Sequence, residues 1–189
     1  MMASGVILAG GKSTRMGMDK TLITINNEPI IHRIVGELKS VLDELIIVSN
    51  EVNKFGLAGT REIMGAFPEK GPLGGIHAGL TAAAHEYSFV VAGDMPWCDK
   101  NLAQLLLDYA PGYDVAVPRI GKYLEPLFAV YSKRCLPYVE FILKHDTPKI
   151  TAFYDKVKVN YVGEAIIRSV ADPDKVFFNI NTPDDYSSI

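Results

Sequence analysis

An α/β fold, a three-layer sandwich with helices on both faces of a mainly parallel sheet, is the architecture this sequence predicts. Three observations point to it. Runs such as "GVILA", "ELIIV" and "SFVVA" are apolar on nearly every residue, as in strands covered on both faces. Segments with helically spaced apolar residues separate them. Turns rich in glycine, asparagine and aspartate follow the strands, and polar loops at strand ends are where open parallel sheets bind ligands.

Taken in order, Ser4 to Ala9 reads as the first buried strand. From Pro29, residues Ile30, Ile31, Ile34, Val35, Leu38, Val41, Leu42 and Leu45 keep one helical face, with Pro29 suited to a first turn. "ELIIVSN" (44–50) is the second strand. "GPLGGIHAGLTAAAHE" (71–86) predicts a glycine-rich turn and then an alanine-rich helix, and "YSFVVAGD" (87–94) a third buried strand ending in an acid. "YDVAVP" and "LEPLFAVYS" read as further strands, the second a candidate for antiparallel pairing. "KRCLPYVEFILKH" is helix-like, with Pro137 placed near its start because a later proline would kink it. "KVKVNYV" (156–162) alternates as a strand does. "KVFFNINTPDDY" predicts a short strand followed by a helix with Thr182 as N-cap, Pro183 at the first helical position and two acids in the first turn.

The 189 residues suit one domain, 1–189, and no repeat, linker or low-complexity tract divides them. A hydrophobic content of 48% supports a sizeable core. The net charge of −3 argues against a general nucleic-acid binder, so anion binding must be local. No stretch is long and apolar enough for a membrane span, and no secretory leader precedes the first strand. Cys98 and Cys135 suit neither a disulfide framework nor a zinc site, and read as structural thiols in a reducing cytoplasm.

Three segments carry chemistry. The opening loop, within "LAGGKSTRMGMDK", offers backbone N–H groups at Gly10 and Gly11 without Cβ obstruction, and Arg15 and Lys20 to neutralise phosphates. It is neither the dinucleotide fingerprint nor the P-loop, and on composition alone a solvated connection competes with a phosphate site. Asp94, in "GDMP", ends a hydrophobic strand where an unpaired carboxylate is costly; a Mg²⁺ ion or a turn-capping role would each account for it. Gly74 and Gly75 stand at a predicted helix start, suited either to an anion or to close helix packing.

Together with the terminal "NINTPDD", these motifs occur in the order seen in molybdenum cofactor guanylyltransferases, the MobA-type nucleotidyltransferases, which the chain resembles over nearly its whole length. The resemblance implies a Rossmann-like fold of the nucleotide-diphospho-sugar transferase kind. It also implies transfer of GMP from GTP to the terminal phosphate of molybdopterin, releasing pyrophosphate. By the same resemblance Leu8, Ala9, Gly10 and Gly11 line the nucleotide pocket, Arg15 and Lys20 hold phosphates, and Asp94 binds Mg²⁺. Gly74, Gly75, Asn179 and Asn181 face the phosphates or acceptor, and Ser49 or Asn50 contacts the base. Molybdenum-cofactor biosynthesis proteins and recipient molybdoenzymes are the implied partners. One departure concerns the base: Gly65 stands where many relatives carry an aspartate, so that either Glu62 or a backbone carbonyl substitutes or base recognition is looser. The acceptor phosphate is already anionic, so no catalytic histidine is expected. A cytidylyltransferase, a sugar-phosphate nucleotidyltransferase and a non-catalytic GTP-binding regulator are the competing readings.

Overall fold

The computed structural model describes residues 1–10, 23–51, 53–145 and 148–187. Its sheet runs β10 (Val159–Gly163), β7 (Val115–Ile120), β9 (Phe128–Ser132), β6 (Tyr87–Ala92), β1 (Ser4–Leu8), β4 (Glu44–Val48), β5 (Thr60–Ile63), and β8 (Tyr123–Leu124) pairs with β7. Pairing is parallel between β1 and both β4 and β6, between β4 and β5, and between β10 and β7. β9 runs antiparallel to both β6 and β7, as the sequence suggested. A small hairpin, β2 (Thr24–Ile25) with β3 (Glu28–Pro29), lies outside the sheet.

Alternate residues of each central strand feed two separate cores. Ile7, Ile47, Phe89 and Val91 face one core, which takes its helical residues from α1 (Ile30–Leu38) and α3 (Lys100–Asp108) and from Ile167 and Val176 of the short helices α5 (Glu164–Arg168) and α6 (Pro173–Val176). Val6, Ile46 and Val90 face the other, shared with α2 (Gly71–Ala82), α4 (Leu136–His145) and the 3₁₀ turns of Ile150–Lys156. Both faces are covered, which is why the central strands read as unbroken apolar runs. The chain leaves β1 through α1 to β4 on one side, then returns through α2 to β6 on the other. The strand order therefore reverses at β1, and its carboxyl end is the switch point.

Several expectations need correction. The apolar face begun at Ile30 continues past the helix, since α1 ends at Leu38 while Leu42 stays buried in the turn beyond it; Pro29 precedes the helix as its N-cap residue. The helix α2 begins at Gly71 itself, with Pro72 in its first turn, so the glycine-rich stretch is helix rather than turn. The short strand expected before "NTPDD" does not form; Pro173–Val176 is a turn of helix capped by the Asp172 carboxylate, and an irregular segment follows. The terminal helix α7 (Pro183–Ser187) does start as read. The Thr182 hydroxyl accepts from the Asp185 N–H at 3.2 Å, while the Asp185 carboxylate accepts from the Thr182 N–H at 2.7 Å, a reciprocal cap. Both cysteines are buried and free, and burial raises both thiols, Cys135 to about 12.

Candidate active site at the carboxyl edge of the sheet

Backbone bonds extend the ladder past the strands and fix the loops at the switch point. The Ala9 N–H donates to the Val48 carbonyl at 2.8 Å, the Gly93 N–H to Leu8 at 2.9 Å, and the Ser49 N–H to Ile63 at 3.0 Å. Ala9–Gly10, Ser49–Asn50 and Gly93–Asp94 thus emerge side by side from β1, β4 and β6, about 5 Å apart per strand. The third polar segment joins them: the Ile180 N–H donates to the Asp94 carbonyl at 3.1 Å. Ile180 is fully buried in the α1-side core, which anchors this irregular segment and sets Asn179 and Asn181 on either side of it. The half-buried Asn179 donates from its side-chain amide to the Phe177 carbonyl at 3.0 Å.

On the β4 side, Ser49 and Asn50 divide their work. Ser49 is buried, and its hydroxyl donates to the Glu51 carbonyl while accepting from the Glu51 N–H. That closes a tight turn which exposes Asn50. A Cβ added at Gly10 would meet the Asn50 side-chain oxygen at 3.2 Å, so the first loop glycine borders Asn50 directly. Gly65 lies against α2, where a Cβ would come within 3.1 Å of Ala78 Cβ. Glu62, one of the two expected substitutes for the absent acid, is tied into a loop. Its carboxylate accepts from the backbone N–H groups of Lys54, Phe55 and Gly56, the shortest bond being 2.7 Å, and that holds the loop between β4 and β5.

Gly74 and Gly75 have a packing role. They sit at the fourth and fifth positions of α2, beyond the free amides of its first turn. A Cβ on Gly74 would press to 2.7 Å from the Phe67 carbonyl, and one on Gly75 to 2.9 Å from Leu8. Leu8 is thereby placed under the start of α2, half-buried beside the switch point. The remaining residues read as site residues, Gly11, Arg15 and Lys20, lie outside the described residues.

Residues 5–158 match the family model of the MobA-like NTP transferase domain. The chain belongs to that family. A relative from Pelotomaculum thermopropionicum, named as a probable molybdenum cofactor guanylyltransferase, is 47% identical over 98% of this chain and 90% of its own. The molybdenum cofactor guanylyltransferase of Desulfosudis oleivorans is 37% identical over 96% of this chain and 91% of its own. Molybdopterin-guanine dinucleotide biosynthesis protein A from Archaeoglobus fulgidus superposes with a TM-score of 0.83 at 24% identity, covering 98% of this chain and 95% of that one, which establishes a shared fold. The chain is a nucleotidyltransferase of molybdenum cofactor biosynthesis.

Membership in this family raises the question of a metal. Among the described residues, no three His, Cys, Asp or Glu side chains gather as a self-sufficient metal cage. Mg²⁺ does not require one, because it takes one or two carboxylates and completes its shell with water and phosphate oxygens. The half-buried Asp94 carboxylate, at the β6 end of the loop row beside the Asn179–Asn181 segment, is a donor of that kind. A separate cleft of about 640 Å³ opens between α1, Pro96–Asp99 and α6, with Trp97 between the cations Arg33 and Lys175. None of the site residues read from the sequence lines it.

Proposed function

We propose that this chain transfers GMP from GTP to molybdopterin in the cytoplasm, forming molybdopterin guanine dinucleotide and releasing pyrophosphate. The observation that carries the reading is the meeting of the β1, β4 and β6 loops with the Asn179–Asn181 segment at the strand-order reversal. A terminal phosphate oxygen of the acceptor attacks the α-phosphorus of GTP in line. The α-phosphorus to bridging-oxygen bond breaks, and pyrophosphate leaves with the bonding electrons. The nucleophile is already ionised, so the protein's task is alignment and charge neutralisation.

Ala9 and Gly10 let the nucleotide approach the end of β1, and Asn50 meets the base beside them. Gly11, Arg15 and Lys20 bind its phosphates. Asp94 would hold Mg²⁺, with Asn179 and Asn181 next to it; when bound, the ion offsets charge on the phosphate oxygens. The product passes to recipient molybdoenzymes. The experiment is pyrophosphate release with each of the four nucleoside triphosphates, with and without molybdopterin, in Mg²⁺ and in EDTA. Release that requires GTP, molybdopterin and Mg²⁺ together is the expected result. Equal use of CTP would overturn the guanylyl assignment.

A further inference from the structure

Glu125 stands in the turn that enters β9, and four hydrogen bonds fix this turn. The Glu125 N–H donates to the Pro118 carbonyl at 3.1 Å, the Phe128 N–H to the Glu125 carbonyl at 3.1 Å, and the Ala92 N–H to the Leu127 carbonyl at 3.0 Å. The fourth comes from the core: the Tyr131 hydroxyl donates to the Pro126 carbonyl at 2.7 Å and lies 2.9 Å from the Tyr154 hydroxyl. Both tyrosine rings are buried, so the turn is braced from beneath. Its carboxylate is half-buried and has no hydrogen-bond or ion-pair partner among the described residues, and burial alone raises its pKa above the ordinary glutamate value. A rigid, half-desolvated carboxylate without a protein partner is a preorganised acceptor for a ligand's donors.

Position narrows the ligand. Because β9 runs antiparallel, its entry lies at the same edge as the exits of β1, β4 and β6. Along that edge the order is Asn50, Gly10, Asp94, then the Glu125 turn. Glu125 is therefore on the opposite side of Asp94 from the nucleotide loops, about two strand spacings, or roughly 10 Å, from the end of β1. A phosphate would be repelled there, whereas a ligand group that presents hydrogen-bond donors is attracted.

We infer that Glu125 recognises the acceptor, its carboxylate pairing with the 2-amino group and N3–H of the pterin ring. The two donors are parallel and match the two oxygens of one carboxylate. The inference rests on the guanylyl-transfer reading, and steady-state kinetics separates the two. In Glu125→Gln the KM for molybdopterin rises about 10- to 100-fold, the scale of a charge-assisted pair. The KM for GTP stays unchanged, and Glu125→Asp loses less. As competitors against wild-type protein, a 6-substituted pterin outcompetes the lumazine in which oxygen replaces the 2-amino group, and Glu125→Gln removes that preference. An unchanged molybdopterin KM, a rise in the GTP KM instead, a loss restored by excess Mg²⁺, or equal competition by the two ring systems would each overturn the assignment. Wild-type protein that fails to use molybdopterin would overturn the guanylyl-transfer reading itself.

Discussion

Asp94, Gly10 and Glu125 each stand at the end of a buried strand, and each has a consequence that can be measured at a single residue. Replacing Asp94 by Asn keeps its size and removes the charge. Mg²⁺-dependent pyrophosphate release should fall by about 100-fold or more, the scale of losing one electrostatic anchor. The thermal melt should be nearly unchanged, and near-normal turnover in a folded variant would remove Asp94 from the mechanism. At Gly10 a methyl group would crowd Asn50, and Leu8 packs beside it under α2. Leu8→Thr with Gly10→Ala should therefore lower GTP use and raise CTP use, since a purine needs more room than a pyrimidine; competition assays with both nucleotides check this. Glu125 supplies a test by pH. Its carboxyl pKa is raised in the folded chain by burial, so ionising it weakens the fold. That penalty is absent below the ordinary glutamate value, grows as pH rises toward the folded value, and is then constant. Glu125→Gln should accordingly melt above wild type at neutral pH, with the gain vanishing near pH 3.5 to 4 or below. A gain that persists in acid would mean that the charge is not its source.

Elements show most clearly what the sequence made legible. The strands β1, β4 and β6 were readable because both their faces are covered, and the start of α7 because its cap is local, Thr182 to Asp185. The start of α2 was not. Its glycines suggest a turn by composition, whereas Gly74 packs on the Phe67 carbonyl and Gly75 on Leu8 of β1, contacts that no local pattern records. The helix α3 was overlooked although Asp99 caps it and Leu102, Ala103, Leu106 and Leu107 mark its buried face, a signal present in the residues. The placement of Asp94 and Asn181 at one edge was legible from motifs, whereas the commitment of Glu62 to three amides depends on a loop folding back across eight residues at most. Two alanine substitutions, one in α2 and one in α1, should act with opposite signs and separate a packing glycine from an unconstrained one. A Cβ at Gly79 would fall 2.3 Å from a Val6 methyl, so Gly79→Ala should destabilise by roughly 1–3 kcal/mol. Gly36 in α1 is exposed with nothing within 4 Å, and Gly36→Ala should stabilise by up to about 1 kcal/mol. Urea denaturation measures both.

At the scale of the whole molecule, the switch point joins both halves of the sheet, so a ligand bound there couples to global unfolding. GTP with Mg²⁺ at a hundredfold excess over its Kd should add about 2.7 kcal/mol to stability. Thermal melts with and without the nucleotide measure this, and a melt indifferent to saturating GTP would show that the folded chain does not bind it. No helix among the described residues is long and apolar enough to cross a membrane. The reversed direction of β9 has a wider consequence. Every strand of the nucleotide half presents its exit to the ligand, whereas β9 presents its entry, so the turn beyond Asp94 belongs to the β8–β9 connection. That connection is a short span between Tyr123 and Phe128, contiguous in sequence and separate from the loops proposed to meet the nucleotide. If Glu125 meets the acceptor as inferred, the nucleotide is held by loops scattered over three strand exits, and the acceptor by one contiguous turn. On that inference, exchanging the turn should change which molecule receives the nucleotide and leave untouched which nucleotide is delivered.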